Sequence, residues 1–391
     1  RGLGDVYKRQ ELVLRYENTD IDGDGPVAQS HTNGSGIPGS PFNAKRDSFD
    51  ANYDLVGEQS IETDFFTAEL NVDVDFGDGT ITALYGWRDN DSRSNSDIDA
   101  QPVSLFHAPA DLLAEQNSFE LRYNGEFGKA NITTGVYWFE NDIEYHERRN
   151  LLGALTPIVS NGLLDDIPYQ IQDGGGLYDV ETMAFFAAMD YALTDRLTLT
   201  AGARWSSEEK SAEIATLALN TNVLLIPETI VGDQPAYVNP LTGTDTRCNI
   251  VDSGNCFLDF KDDDKWDTFA PKLGLSYALS DESQLYGHWS RGFRSGGYNL
   301  RNTSPTAAPG PFDEEQVDNY EIGYKSMSDW GKLNAALFYT DIQDMQREVN
   351  IEDATSGVVQ IIDNTADASI WGLELDGTFR LGDSLLVLAS I

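Results

Sequence analysis

Along most of the chain, polar and apolar residues change places at every step, over stretches longer than a strand of a soluble sheet lasts. Ala68, Leu70, Val72, Val74 and Phe76 are interleaved with Thr67, Glu69, Asn71, Asp73 and Asp75. After Gly77-Asp78-Gly79, Ile81, Ala83, Tyr85 and Trp87 alternate with Thr80, Thr82, Leu84, Gly86 and Arg88. Side chains leave a strand on opposite faces at period two, so each segment has one greasy face and one that carries charge. Strands of soluble sheets average about five or six residues, and these run well beyond that. Long two-faced strands joined by hairpins predict an all-β fold, an antiparallel transmembrane β-barrel of the bacterial outer membrane.

A chain of 391 residues would otherwise suggest two or three domains at about 150 residues each, but a barrel grows by adding hairpins. The mean hydropathy is −0.38 and no apolar run is long enough for a transmembrane helix. Strands explain both, since half of each strand wall faces water. With 26 Lys and Arg against 65 Asp and Glu, the net charge of −39 argues against nucleic acid as a partner, because its phosphates would be repelled. Solvation of long surface loops accounts for the excess. Lipid is the implied environment of the greasy faces.

The two cysteines, Cys248 and Cys256, share one polar segment, and none of His31, His107, His146 and His288 lies near them in sequence. A metal site would need more ligands. A disulfide closing a small surface loop, in an oxidising compartment, fits better. The opening Arg1-Gly2-Leu3-Gly4-Asp5-Val6-Tyr7-Lys8-Arg9-Gln10 resembles translated adapter read-through and is set aside (1–10), leaving 11–391 as one partial barrel domain. At the other end, Ser384 to Ile391 stops within an apolar strand, so truncation is expected at both ends.

Short turns rich in Gly, Asp, Asn and Ser fall near 77–79, 127–130, 194–196, 280–283, 328–332 and 381–384. Long polar connections fall near 18–60, 91–115, 148–178, 214–263, 299–315 and 350–357. Placing the short ones in the periplasm and the long ones outside gives thirteen strands: 11–17, 61–76, 80–92, 116–127, 130–147, 179–193, 197–213, 264–279, 284–298, 316–328, 332–349, 358–380 and 384–391. Bacterial single-chain barrels have even strand numbers, so an odd count again points to a fragment. Glu69, Asp73, Glu120, Glu321 and Glu374 fall on the inward parity with Arg122, Arg204, Lys272 and Lys325, which reads as an ion-paired lumen wall. Tyr85, Trp87, Trp138, Trp205, Trp289, Tyr324 and Trp371 fall on the outward parity, as interfacial aromatic girdles require.

Among short motifs, Asp20-Ile21-Asp22-Gly23-Asp24-Gly25 has the oxygen spacing of a calcium loop, with Asp20, Asp22 and Asp24 as ligands, but His31 stands where a bidentate Glu is needed. Loop-bound calcium is the one cofactor the sequence suggests, set against an ordinary acidic turn. Asp262-Asp263-Asp264 reads as a solvated loop base. Ser207 and Lys210 have the spacing of some acyl enzymes without a second motif, and Gly34 to Gly39 matches a dinucleotide fingerprint without its strand and helix. No catalytic set can be assembled, so an enzyme is not expected. A soluble β-rich enzyme would also expose too much apolar surface.

Ser290-Arg291-Gly292-Phe293-Arg294-Ser295-Gly296-Gly297-Tyr298-Asn299, Asn319 to Lys325, Ala336 to Gln346 and Asn364 to Gly377 resemble, in order and spacing, the barrel of TonB-dependent receptors, specifically over 264–391. The resemblance implies a barrel of about 22 strands around a plug, with neither plug nor energy-coupling box in this sequence. It implies energy-coupled uptake of a scarce nutrient, an iron–siderophore chelate first, through the TonB complex. The alternatives are an oligosaccharide or cobalamin as cargo, or a passive porin. Haem-type members carry Phe-Arg-Ala-Pro where this chain has Phe293-Arg294-Ser295-Gly296, which lowers the haem reading. No ligand-contacting residue carries over.

Overall fold

In the computed structural model the described residues are 10–31, 45, 48–153, 170–220, 228–231, 234–237, 249–251, 256, 258–304, 306–353, 357–382 and 384–391. Their strands are β1 (Gln10–Gly23), β2 (Glu58–Val74), β3 (Gly79–Asn95), β4 (Phe106–His107), β5 (Ala110–Phe127), β6 (Ala130–Leu151), β7 (Gln170–Ala192), β8 (Leu197–Asn220), β9 (Glu228–Val231), β10 (Gln234–Tyr237), β11 (Phe260–Ser280), β12 (Ser283–Arg294), β13 (Glu315–Ser328), β14 (Gly331–Asp353), β15 (Gly357–Leu381) and β16 (Leu385–Ser390). All but β9 and β10 join one antiparallel sheet that follows chain order, with two-residue β4 pairing β6 off the main path. Among the described residues β1 pairs only β2 and β16 only β15, so the sheet they form is open. No helix among the described residues is long and apolar enough to cross a membrane.

Directly opposed residues share a face, so the ladders carry one face from strand to strand. Leu12 opposes Leu70, and the row continues through Ala83, Leu121, Val136, Phe185, Trp205 and Phe269. Leu273, Trp289, Tyr320, Tyr339 and Trp371 continue it across the later strands. Phe185 and Trp205 stack with centroids 5.9 Å apart. Leu273 is 52% exposed and Trp371 75%. Apolar area left in water costs roughly 25 cal/mol per Å², which lipid removes. On β8 this face is apolar from Leu197 to Trp205, about the ten residues a tilted strand needs to span hydrocarbon.

The outward face ends abruptly in carboxylates. Asp64, Asp89, Glu115, Asp142 and Asp179 stand directly opposite one another on five successive strands. Just below them, Trp87 donates to Glu115 (3.1 Å) and Trp138 to Glu181 (3.3 Å), and on β12 and β13 Trp289 donates to Asp318 (2.9 Å). Each indole has its body on the apolar band and its N–H in the acidic rim, as an interfacial girdle requires.

The other face is polar. Glu120 pairs with Arg122 at 2.9 Å, and Arg15 with Glu69 at 3.7 Å. Arg204 lies 5.1 Å over the Tyr137 ring, Lys325 lies 4.9 Å over Tyr286, and Tyr286 donates to Glu321 at 2.7 Å. This face is the concave one, because the segment after β12 touches β6, β8, β11 and β15 on it, and a short segment can reach strands that far apart only across the hollow of a curved sheet.

The strand boundaries depart from the sequence reading at the loop end. The first strand runs to Gly23, so Asp20 and Asp22 lie in β1 opposite Glu62 and Ser60. Asp262-Asp263-Asp264 lies inside β11, not at a loop base. The connection read as 214–263 contains the end of β8, the β9–β10 hairpin and the start of β11. β12 stops at Arg294, four residues short of the expected end. Above the bilayer both faces are wet, so apolar alternation ceases while the backbone ladder continues. Cys256 is not a free thiol, whereas Cys248 and the Gly34–Gly39 segment lie outside the described residues, so the pairing of the two cysteines remains an expectation.

Candidate functional site

The site is built where β12 gives way to a segment that turns into the hollow. The β11–β12 ladder stops at Lys272 opposite Ser290, one residue before Pro271, which has no N–H to give a ladder. Beyond Arg294 the chain folds inward. Ser295 donates to Glu208, and Lys210 Nζ donates to Ser295 Oγ and to the Gly296 carbonyl, each at 2.7 Å. Lys210 also pairs with Glu208 at 2.7 Å. Gly297 and Phe312 exchange backbone hydrogen bonds of 3.2 and 3.0 Å that close the base of the segment.

Tyr298 then inserts its ring among Trp266 (6.3 Å), Tyr178 (6.3 Å) and Phe260 (5.9 Å). Its hydroxyl donates to Asp262 at 3.2 Å, which gives the buried ring a polar outlet. Tyr298, Trp266, Ala212 and Ile214 form a hydrophobic cluster of buried residues. Further along, the Leu217 amide donates to the Asn302 carbonyl (2.9 Å) and the Gln360 amide to Thr303 Oγ1 (3.0 Å). Asn302, Thr303 and Ser304 are almost wholly buried.

Between these anchors Arg301 locks the segment to β6. Its Nε donates to Glu147 Oε2 at 2.6 Å, Arg149 Nε donates to Oε1 at 2.6 Å, and the Tyr145 hydroxyl donates to Oε2 at 2.5 Å. Glu147 is 4% exposed and lies near the loop end of β6, beyond the roughly ten residues that span the bilayer. Burial works to raise its carboxyl pKa, but the hydrogen bonds from Arg301 and Tyr145 and the charge of Arg149 outweigh it and hold the group at about 2.

Beneath the segment lies a cavity of about 390 Å³ lined by Tyr137, Phe139, Trp266, Arg204, Glu208 and Lys210, among others. Aromatic faces and two cations against one carboxylate suit a planar, electron-rich ligand with negative charge. Asn141, 8% exposed, also lines the cavity with its Oδ1 lacking a hydrogen-bond partner.

The structure places the sequence candidates separately from this site. Asp20 and Asp22 stand in extended β1 and Asp24 just beyond it, without the curl of a calcium loop. Glu208 and Lys210 face the hollow while Ser207 points to the opposite side, which separates the hydroxyl from the amine. Sequence reading placed 299–315 outside as a free loop and missed Glu147 and Arg301. The one available signal was Ser295-Gly296-Gly297. A Cβ at Gly296 would stand 2.1 Å from the Phe312 carbonyl oxygen and 2.3 Å from Trp266 Nε1. Gly296→Ala should therefore loosen the segment, with the Gly297 and Phe312 amides exchanging about 5- to 150-fold faster, as expected for 1–3 kcal/mol of overpacking. Unchanged exchange would contradict the packing described.

Residues 4–390 match the family described as TonB dependent receptor-like, beta-barrel. The pesticin receptor of Yersinia enterocolitica is 28% identical over 207 residues, which cover 52% of this chain and 24% of that protein. The rhizobactin receptor of Rhizobium meliloti is 27% identical over 272 residues, covering 63% of this chain and 32% of that protein. The crystal structure of the ferric yersiniabactin uptake receptor FyuA from Yersinia pestis superposes with a TM-score of 0.65 at 19% identity, covering 96% of this chain and 47% of that one. The chain thus spans a quarter to a half of the length of the proteins it matches.

Proposed function

The chain belongs to the TonB-dependent receptor β-barrel family and sits in the bacterial outer membrane, and on that premise we propose that it forms part of a receptor for energy-coupled uptake of an iron–siderophore complex. The observation that carries this reading is the aromatic cavity with Arg204 and Lys210 beneath the inward segment. Siderophores present phenolate, catecholate, hydroxamate or carboxylate donors, which are planar and carry negative charge. Such groups stack on Tyr137 and are drawn to the Arg204 guanidinium, with Lys210 already engaged by Glu208, Ser295 and Gly296 adding field and not a bond, whereas a sugar offers no charge for the cations to meet. The names of two relatives, a rhizobactin receptor and a ferric yersiniabactin uptake receptor, favour an iron complex as cargo.

In this reading the barrel wall is a rigid frame, the plug that the family resemblance implies fills the hollow, and the periplasmic TonB complex supplies the work of displacing it. The role is transport and not catalysis, and the chain's task is to bind, orient and release. Arg204 is the positioning cation, since its guanidinium already rests on the Tyr137 ring.

The test is to express the complete gene in a strain without ferric receptors and to follow uptake of iron chelates with and without TonB. TonB-dependent uptake is expected, with Arg204→Ala weakening chelate binding about tenfold, equivalent to ~1.4 kcal/mol. Uptake that ignores TonB would establish a passive pore instead. TonB-dependent transport that ignores every iron chelate would remove iron as the cargo and leave the oligosaccharide and cobalamin readings.

A further inference from the structure

We propose that Asp54, Asp97 and His107 form a binding site for one first-row divalent cation of the zinc or cobalt type, on the outer side of the barrel and apart from the lumen cavity. The three residues come from two connections at the loop end, Asp54 from the one before β2 and Asp97 and His107 from the one between β3 and β5. Their ligand atoms all lie within 4.8 Å of one another, a grouping that no sequence motif announces.

The backbone holds them in place independently of any ion. Asp97 and His107 form an isolated antiparallel bridge, flanked by hydrogen bonds from Ile98 N to Phe106 O and from Ala108 N to Ser96 O, both 2.9 Å. Asp97 Oδ1 accepts from the Ala100 amide at 2.9 Å, and Oδ2 accepts from the Asp54 amide at 3.2 Å. Each Asp97 oxygen therefore keeps a lone pair. Asp99 accepts the amides of Gln101, Leu105 and Phe106, which pins the loop around the group.

Geometry and charge both fit a metal. His107 Nε2 lies 2.9 Å from Asp54 Oδ1. Bonds of about 2.1 Å at tetrahedral or octahedral angles need ligand atoms roughly 3.0–3.4 Å apart, so this pair has to open by a few tenths of an ångström and the Asp97 oxygen, within 4.8 Å of both, to close in by at most about 1.5 Å. Asp97 is 7% exposed, and the charged groups that act on it are Asp54, His107 and the neighbouring Asp99. Among the described residues no Lys or Arg pairs with Asp54 or Asp97, leaving two carboxylates and one imidazole. Buried charges are ordinarily paired or bound to metal. The side chains of His107 and Asp54 are 15% and 24% exposed, which leaves an entry route and room for water as further ligands. A cavity of about 80 Å³ opens beside Asp97 and is also lined by Asp24. An imidazole nitrogen in the set selects against calcium and magnesium, which take oxygen ligands. A bound cation would tie the connection before β2 to the one after β3.

The receptor from the complete gene, purified in detergent and stripped with a chelator, would be titrated with Co²⁺ and Zn²⁺ in millimolar Ca²⁺. One equivalent of each is expected, with visible Co²⁺ bands that Zn²⁺ abolishes. His107→Gln and Asp97→Asn should each weaken binding at least tenfold while the heat-modifiable mobility of the folded barrel is kept. If either variant fails to fold, the wild-type stoichiometry and Ca²⁺ competition still decide. No stoichiometric binding, displacement by Ca²⁺, or binding unaltered by His107→Gln in a folded barrel would each overturn the site.

Discussion

Glu147→Ala should free the segment between β12 and β13 from the barrel wall. The substitution removes the acceptor shared by Tyr145, Arg149 and Arg301, and Arg149, 10% exposed, keeps its charge without that carboxylate. Removing one member of a buried ion pair costs about 3–5 kcal/mol, a shift of roughly 10²- to 10⁴-fold in the docking equilibrium. Hydrogen exchange should speed up at the Leu217 and Gln360 amides, which are bonded to Asn302 and Thr303 of the segment, and trypsin should cut after Arg301. Unchanged protection there would sink the latch. The same group sets a pH response. With its pKa depressed from 4.5 to about 2, Glu147 contributes stability that is complete above about pH 4.5 and is lost as pH falls through about 2, some 3 kcal/mol in all. Protection of the two amides should fade over that window in the native protein and stay flat in the variant.

Leu273→Arg should impair assembly of the barrel in the membrane. Leu273 opposes Ala201 on one side and Trp289 on the other, in the middle of the outward apolar band. An arginine there costs about 2–4 kcal/mol at the bilayer midplane. The neighbouring inward position, Lys272, already carries a positive charge, so Lys272→Arg should be nearly silent. Reversible folding into lipid vesicles, read as the denaturant midpoint, would distinguish the two. Equal midpoints would refute the assignment of faces.

What the sequence disclosed depended on where water was. From Leu197 to Trp205 lipid lies on one side and water on the other, so composition alternates with the pleat and the strand is legible. Farther along the same strand, at Glu208 and Lys210, both faces are wet and the signal disappears although the ladder runs on. The thirteen strands of the main path were recovered because each has a membrane segment, and the hairpin β9–β10 was missed because it has none. The latch lay beyond sequence reasoning for a different reason. Glu147 and Arg301 are 154 positions apart, and the segment between β12 and β13 is polar enough to pass for a solvated loop. The Asp54, Asp97 and His107 grouping was hidden in the same way, its members being ordinary loop residues until β3 and β5 bring their flanks together.

The row of opposed carboxylates on β2, β3, β5, β6 and β7 has a mechanical consequence. Like charges placed directly across a sheet oppose pairing, so the row weakens the ladders it crosses and must be offset by the apolar band below. Its position makes it a depth stop. Sinking the barrel by one alternate residue would carry acidic side chains of this row into the hydrocarbon, and raising it would strip lipid from the aromatic girdle. Axial freedom is thereby confined to a few ångströms. Where the membrane is thicker or thinner than the band, the lipid has to stretch or compress to meet the protein, because the protein is not free to slide.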